Sequence, residues 1–147
     1  MPKVLIVYYS HTGNTEKMAK AIAEGVGTVQ GVEVELKSYE SPEKLVNFDA
    51  ILIGVPTYHH NMTNNIKNFL EEIAFYNVDL KDKIGTAFGS YGWSGEAPRL
   101  VLEVMKYKFK MNVIEPPLLI KYVPDKNGID KCKELGMKIA KEISQTR

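Results

Sequence analysis

Ser10-His11-Thr12-Gly13-Asn14-Thr15 gathers four short hydrogen-bonding residues around one glycine, with no carboxylate, lysine or arginine among them. At the start of a helix such a stretch can grip a dianion. The first backbone N–H groups of a helix have no partner inside it and carry the positive end of its dipole; Ser and Thr hydroxyls add donors there. An ordinary capped helix is the plainer alternative, since Thr12 or Asn14 alone would serve as a cap. Two further stretches carry aromatic rings: Pro56-Thr57-Tyr58-His59-His60-Asn61 and Gly89-Ser90-Tyr91-Gly92-Trp93-Ser94-Gly95. The rings of Tyr58, Tyr91 and Trp93 either pack as ordinary apolar surface or plate a flat ligand.

The flanking elements decide whether these stretches meet. Val4-Leu5-Ile6-Val7-Tyr8-Tyr9 has the length of a buried strand, and Met18, Ala19, Ile22, Ala23 and Val26 follow at helical spacing, predicting a helix from near Glu16. The first stretch is therefore a strand-to-helix turn. Gly25-Val26-Gly27 ends that helix, and Val32-Glu33-Val34-Glu35-Leu36-Lys37 alternates like an edge strand with one wet face. The spacing of Gly25, Gly27 and Gly31, after a helix, is wrong for a dinucleotide loop. Residues 50–55 and 84–88 are short apolar runs, hence central strands, and the two aromatic stretches are the loops that follow them. Helices come next, carrying Ile66, Phe69, Leu70 and Ile73, then Leu100, Val101, Val104 and Met105. Residues 112–120 contain Pro116-Pro117, which cannot donate to a ladder and so mark the other edge. A last helix is predicted from Asp130.

Five strands alternating with helices predict an α/β fold, a doubly wound parallel sheet in the order 2-1-3-4-5. That order puts the two edge-like strands outside. It also brings the loops after strands one, three and four together beyond the carboxyl ends of the sheet. A phosphate cradle between aromatic plates suits a flat, phosphorylated, partly apolar ligand, and flavin mononucleotide (FMN) has that shape. Gly89, Gly92 and Gly95 are expected to give positive φ and close backbone approach to its ring edge.

At these residues the sequence resembles the flavodoxin family. Ser10 to Thr15 is similar to the family's phosphate loop, and Pro56-Thr57-Tyr58 and Gly89 to Gly95 are similar to its two ring-binding loops. The likeness is nearest to the flavodoxin-like domain of flavodiiron proteins, through Gly89 to Gly95 and through Glu115-Pro116-Pro117 followed by Lys121-Tyr122-Val123-Pro124. The resemblance implies non-covalent FMN, held by Ser10, His11, Thr12, Gly13, Asn14, Thr15, Pro56, Thr57, Tyr58, His59, His60, Asn61, Gly89, Ser90, Tyr91, Gly92, Trp93 and Gly95. It implies electron transfer between redox protein partners by a short-chain form, with no organic substrate. With only His11, His59 and His60 the chain has too few ligands for two irons, so it reads as a stand-alone carrier.

Charge sets it apart from the acidic members of that family. The 147 residues carry a net charge of +1, with 44% hydrophobic and 25% charged side chains, a balance that argues against nucleic-acid and anionic-membrane partners. No Asp or Glu occurs between Val55 and Leu70, where His59 and His60 sit instead, so easier reduction of the flavin is expected. That loop also lacks glycine; Asn61 is its expected left-handed residue, and two-electron behaviour is expected to be favoured. The single cysteine, Cys132, rules out a disulfide framework and reads as core. With no signal peptide and no apolar run near about 18 residues, one cytoplasmic domain over residues 1–147 is expected. An NAD(P)H-dependent flavin or quinone reductase on the same fold is the alternative, although no basic cluster is committed to a nicotinamide. A phosphorylated receiver domain is set aside, because its acidic positions read Ser10-His11-Thr12 and Pro56-Thr57-Tyr58 here.

Overall fold

The computed structural model describes residues 1–58 and 60–145. Strands β1 (Lys3–Tyr8), β2 (Glu33–Lys37), β3 (Ala50–Gly54) and β4 (Ile84–Tyr91) pair in parallel in the order β2-β1-β3-β4. The far edge is interrupted. β5 (Asn112–Val113) pairs with the start of β4, and β6 (Leu118–Lys121) pairs with its end. The 2-1-3-4-5 order is therefore found, with its fifth position split into two short strands where Glu115-Pro116-Pro117 interrupts the ladder.

Helices α1 (Asn14–Gly27) and α4 (Lys126–Gln145) cover one face, and α2 (Asn64–Phe75) and α3 (Glu96–Glu103) cover the other. α3 continues as a π turn, Val104–Lys108, and a 3-10 turn, Pro42–Asn47, leads into β3. Strand periodicity divides the core. Leu5, Val7, Ile51 and Ile53 meet α2 and α3, while Val4, Ile6, Ala50 and Leu52 meet α1 and α4. The wet face of β2 is a charge ladder in which Lys3 lies 3.9 Å from Glu33 and Lys37 lies 3.3 Å from Glu35. No helix among the described residues is long and apolar enough to cross a membrane.

Element limits differ from the sequence expectation in three places. α1 starts at Asn14 rather than Glu16, and α4 starts at Lys126, where Asp125 Oδ1 accepts the Gly128 N–H at 2.8 Å. β4 runs on through Gly89-Ser90-Tyr91 because β6 continues the ladder beside it. Gly89 is therefore a packing residue: a Cβ there would overlap the Val55 carbonyl oxygen.

α1 and α4 cross in near-backbone contact. A Cβ on Gly25 would overlap the Lys133 carbonyl oxygen, and one on Gly136 would overlap that of Ile22. The obstacles are backbone atoms, so relief requires moving a helix. Gly136→Ala and Gly25→Ala should each lower unfolding free energy by about 2–3 kcal/mol in urea titrations. Gly27→Ala, where a Cβ meets nothing within 4 Å, should change it by less than about 1 kcal/mol.

Candidate functional site

β1, β3 and β4 end side by side, so their loops meet at one end of the sheet. The first loop turns through Gly13, which has φ 92°, a left-handed conformation that glycine adopts without strain. Ser10 ties the turn: its Oγ accepts the N–H of Gly13 at 3.1 Å and of Glu16 at 3.2 Å. Asn14 and Thr15 begin α1, which has no side-chain cap, and their N–H groups have no hydrogen-bond partner among the described residues. A Cβ on Gly13 would meet nothing within 4 Å, so the space before these donors is open. The carboxylate of Glu16 is turned back to the Tyr8 hydroxyl at 3.1 Å. This is the anion-binding form of a helix start.

The hydroxyls of the predicted site divide by role. Thr15 is buried, and its Oγ1 lies 3.1 Å from Ser90 Oγ, joining the first loop to β4. Thr57 Oγ1 accepts the Ala97 N–H at 2.9 Å, which caps α3 from the β3 loop. Pro56, Gly89 and Ser90 are buried, so they shape the floor of the site. Thr12 and His11 are exposed, and the His11 ring stands edge-on to Tyr58 with centroids 6.0 Å apart.

The β3 loop is a tight turn in which Tyr58 and Asn61 exchange two backbone hydrogen bonds, of 3.1 and 2.9 Å. His60, with φ 62°, is its left-handed residue, in place of the expected Asn61. The side chain of Asn61 is occupied locally, its Oδ1 accepting the Met62 N–H at 2.8 Å. His59 lies outside the described residues. Burial raises the Tyr58 hydroxyl pKa above its usual value, with the neighbouring Tyr9 adding to the effect.

The β4 loop holds Tyr91 half-buried and Gly92 against the Tyr122 ring, and projects Trp93, which is 88% exposed. The expected positive φ at Gly89, Gly92 and Gly95 does not occur: Gly13 and Gly31 are the left-handed glycines. Thr57, His60, Trp93 and Ser94 line a cleft of about 290 Å³. A roomier groove, about 530 Å³, lies along α3 beside Glu115-Pro116-Pro117, but the Lys106–Glu115 ion pair on its lining belongs to the sheet edge rather than to the converging loops.

Sequence reasoning missed Glu96. Its Oε1 lies 3.1 Å from His60 Nδ1, so a carboxylate absent from the β3 loop in sequence is supplied in space by α3. Ser94 Oγ lies 3.0 Å from the same nitrogen. Hydrogen bonds from Ser94 and then His60 hold the Glu96 carboxyl below its usual range. The available signal was its place, directly after Gly95, as the first residue of a helix.

The Flavodoxin family model matches residues 6–136. Among curated proteins, the type A flavoprotein fprA of Rhodobacter capsulatus is 33% identical over 96% of this chain and 33% of its own length. A nitric oxide reductase of Moorella thermoacetica is 30% identical over 97% of this chain and 36% of its own length. The chain thus spans about a third of the curated relatives it matches. A solved flavodoxin from the domain Archaea is 36% identical and superposes with a TM-score of 0.89, covering 97% of this chain and 99% of that one.

The lowered Glu96 carboxyl gives the loops a pH dependence. A carboxyl depressed in the folded state stabilises it above the ordinary value of 4.5 and ceases to do so as pH falls through the depressed value. Wild type should therefore exceed Glu96→Gln in urea midpoint at pH 7, and the two midpoints should converge as pH falls through that depressed value.

Proposed function

The chain belongs to the flavodoxin family, whose cofactor is FMN, and from that premise we propose that the three converging loops hold FMN and that the protein carries electrons between redox partner proteins. The observation that carries this reading is Trp93. A tryptophan 88% exposed beside a cleft shared with Thr57, His60 and Ser94 forfeits the burial that its ring would gain in a core. A flat ring lying against it recovers that burial.

The donor set fits the other end of the cofactor. The open N–H groups of Asn14 and Thr15 and the exposed hydroxyl of Thr12 receive the phosphate, and no carboxylate is aimed at them. Ser10 keeps the loop in shape from behind. Trp93 and Tyr58 cover the ring, and Tyr91 supports the β4 loop. Bound FMN supplies a centre that accepts and releases electrons. The residues bind it, orient it toward the exposed loop edge and shield it from water, and an electron carrier needs nothing more. The nitric oxide reductase activity in a relative's name is that protein's own and is not carried over.

Trp93 is the only tryptophan, which makes it a direct reporter. FMN added to the apoprotein should quench its fluorescence, and riboflavin, lacking the phosphate, should bind roughly 100-fold more weakly. Trp93→Ala should weaken FMN, followed by flavin absorbance, by about 10- to 100-fold. Unquenched Trp93 fluorescence and a protein that stays colourless with FMN would refute the reading.

A further inference from the structure

Resting on the FMN reading, we propose that Glu96 and His60 form a proton-holding pair beside the flavin: Glu96 fixes His60 with its proton on Nδ1, and Nε2 takes up a second proton from solvent as negative charge arrives on the ring. Glu96 is a positioning residue in this scheme, acting through His60.

The geometry fixes the tautomer. Ser94 Oγ at 3.0 Å and Glu96 Oε1 at 3.1 Å both lie on Nδ1. Ser94 has one hydroxyl proton to give, and the carboxylate is the stronger acceptor. A carboxylate can only accept, so the 3.1 Å approach of Glu96 Oε1 to Nδ1 is favourable only if Nδ1 itself carries a hydrogen, which Ser94 Oγ at 3.0 Å then shares. Nε2 is then the free position of the imidazole. The second carboxylate oxygen, Glu96 Oε2, is buried with no hydrogen-bond partner among the described residues.

The backbone holds the ring in the same place. His60 sits at φ 62° in the turn closed by Tyr58 and Asn61, and it lines the cleft with Thr57, Trp93 and Ser94. The groups around it are Glu96 and Ser94 at the start of α3, Tyr58 on its own turn, and His11 edge-on to Tyr58. Arg99, further along α3, lines the separate groove beside Pro116 and Pro117. The charged partner in contact with His60 is thus a carboxylate.

The balance is simple. With FMN bound, two electrons from the redox partner and one proton would leave one negative charge to be balanced. His60 would bind one further proton from water at Nε2, the ring nitrogen that Glu96 does not engage, forming only an N–H bond. Reoxidation returns both electrons to a partner and both protons to solvent. Uptake thereby rises from one proton per two electrons toward two.

Two measurements test this. In the apoprotein, ¹⁵N NMR of the imidazoles, assigned with His11→Gln, His59→Gln and His60→Gln, should show His60 with hydrogen on Nδ1. Glu96→Ala should mix the tautomers while amide spectra remain native. A wild-type His60 carrying its neutral-form hydrogen on Nε2 overturns the proposal. In FMN-loaded protein reduced with dithionite and mediators, the two-electron midpoint should fall with pH more steeply in wild type than in His60→Gln, by up to about twofold. Equal slopes with FMN bound overturn the coupling alone. Failure to bind FMN, with the tautomer as expected, refutes the cofactor reading and the coupling with it.

Discussion

The left-handed turn at Gly13 is the constraint on which the site depends. A buried strand has to hand the chain to a helix lying across the sheet, and the usual way to finish such a junction is a side-chain cap on the first free N–H groups. Here Ser10 reaches forward instead, accepting from Gly13 and Glu16 and leaving the donors of Asn14 and Thr15 between them unused. A residue with a Cβ at position 13 would disfavour φ 92°. The turn is tied down and open at once, which is what binding an anion without reorganisation requires.

The remaining hydroxyls keep the three loops in one relative position. Thr15 reaches Ser90 across from α1 to β4, and Thr57 reaches the start of α3 from the β3 loop. Each of these contacts joins elements far apart in sequence, so the cleft is held by the same interactions that hold the fold. On the opposite face, α1 is pressed against α4 through Gly25 and Gly136 with no side chain between the backbones. The direction of α1, and with it the aim of its open N–H groups, is thereby set by a contact remote from the loops.

Much of this was legible in the sequence because apolar runs and helical spacing are strong local signals. The strand order, the two edges and the convergence of three loops followed from residue types alone. What local reading could not see were effects of pairing between distant segments. β4 extends through Tyr91 because β6 lies beside it, and that makes Gly89 a residue of close packing rather than of positive φ. Among the described residues, the left-handed position of the β3 loop falls on His60, inside the turn that the Tyr58–Asn61 pairing closes. Asn61, the intrinsically more tolerant residue, is used to close the turn.

The charge of the site shows most clearly why distance in sequence misleads. The β3 loop has no acidic residue, which suggested a site free of negative charge around the ring. In space the carboxylate of Glu96 reaches the loop, and it does so from a helix start. Two helix starts, of α1 and α3, therefore face the same end of the sheet with different chemistry. That of α3 carries its own carboxylate at its first residue and a cap from Thr57, so its dipole is already answered. That of α1 has its one first-turn carboxylate, Glu16, drawn back to Tyr8. An anionic group entering the cleft is accordingly favoured at α1 over α3. The two helix starts thus differ in which is left unsatisfied, and a single glutamate at the head of α3 makes the distinction.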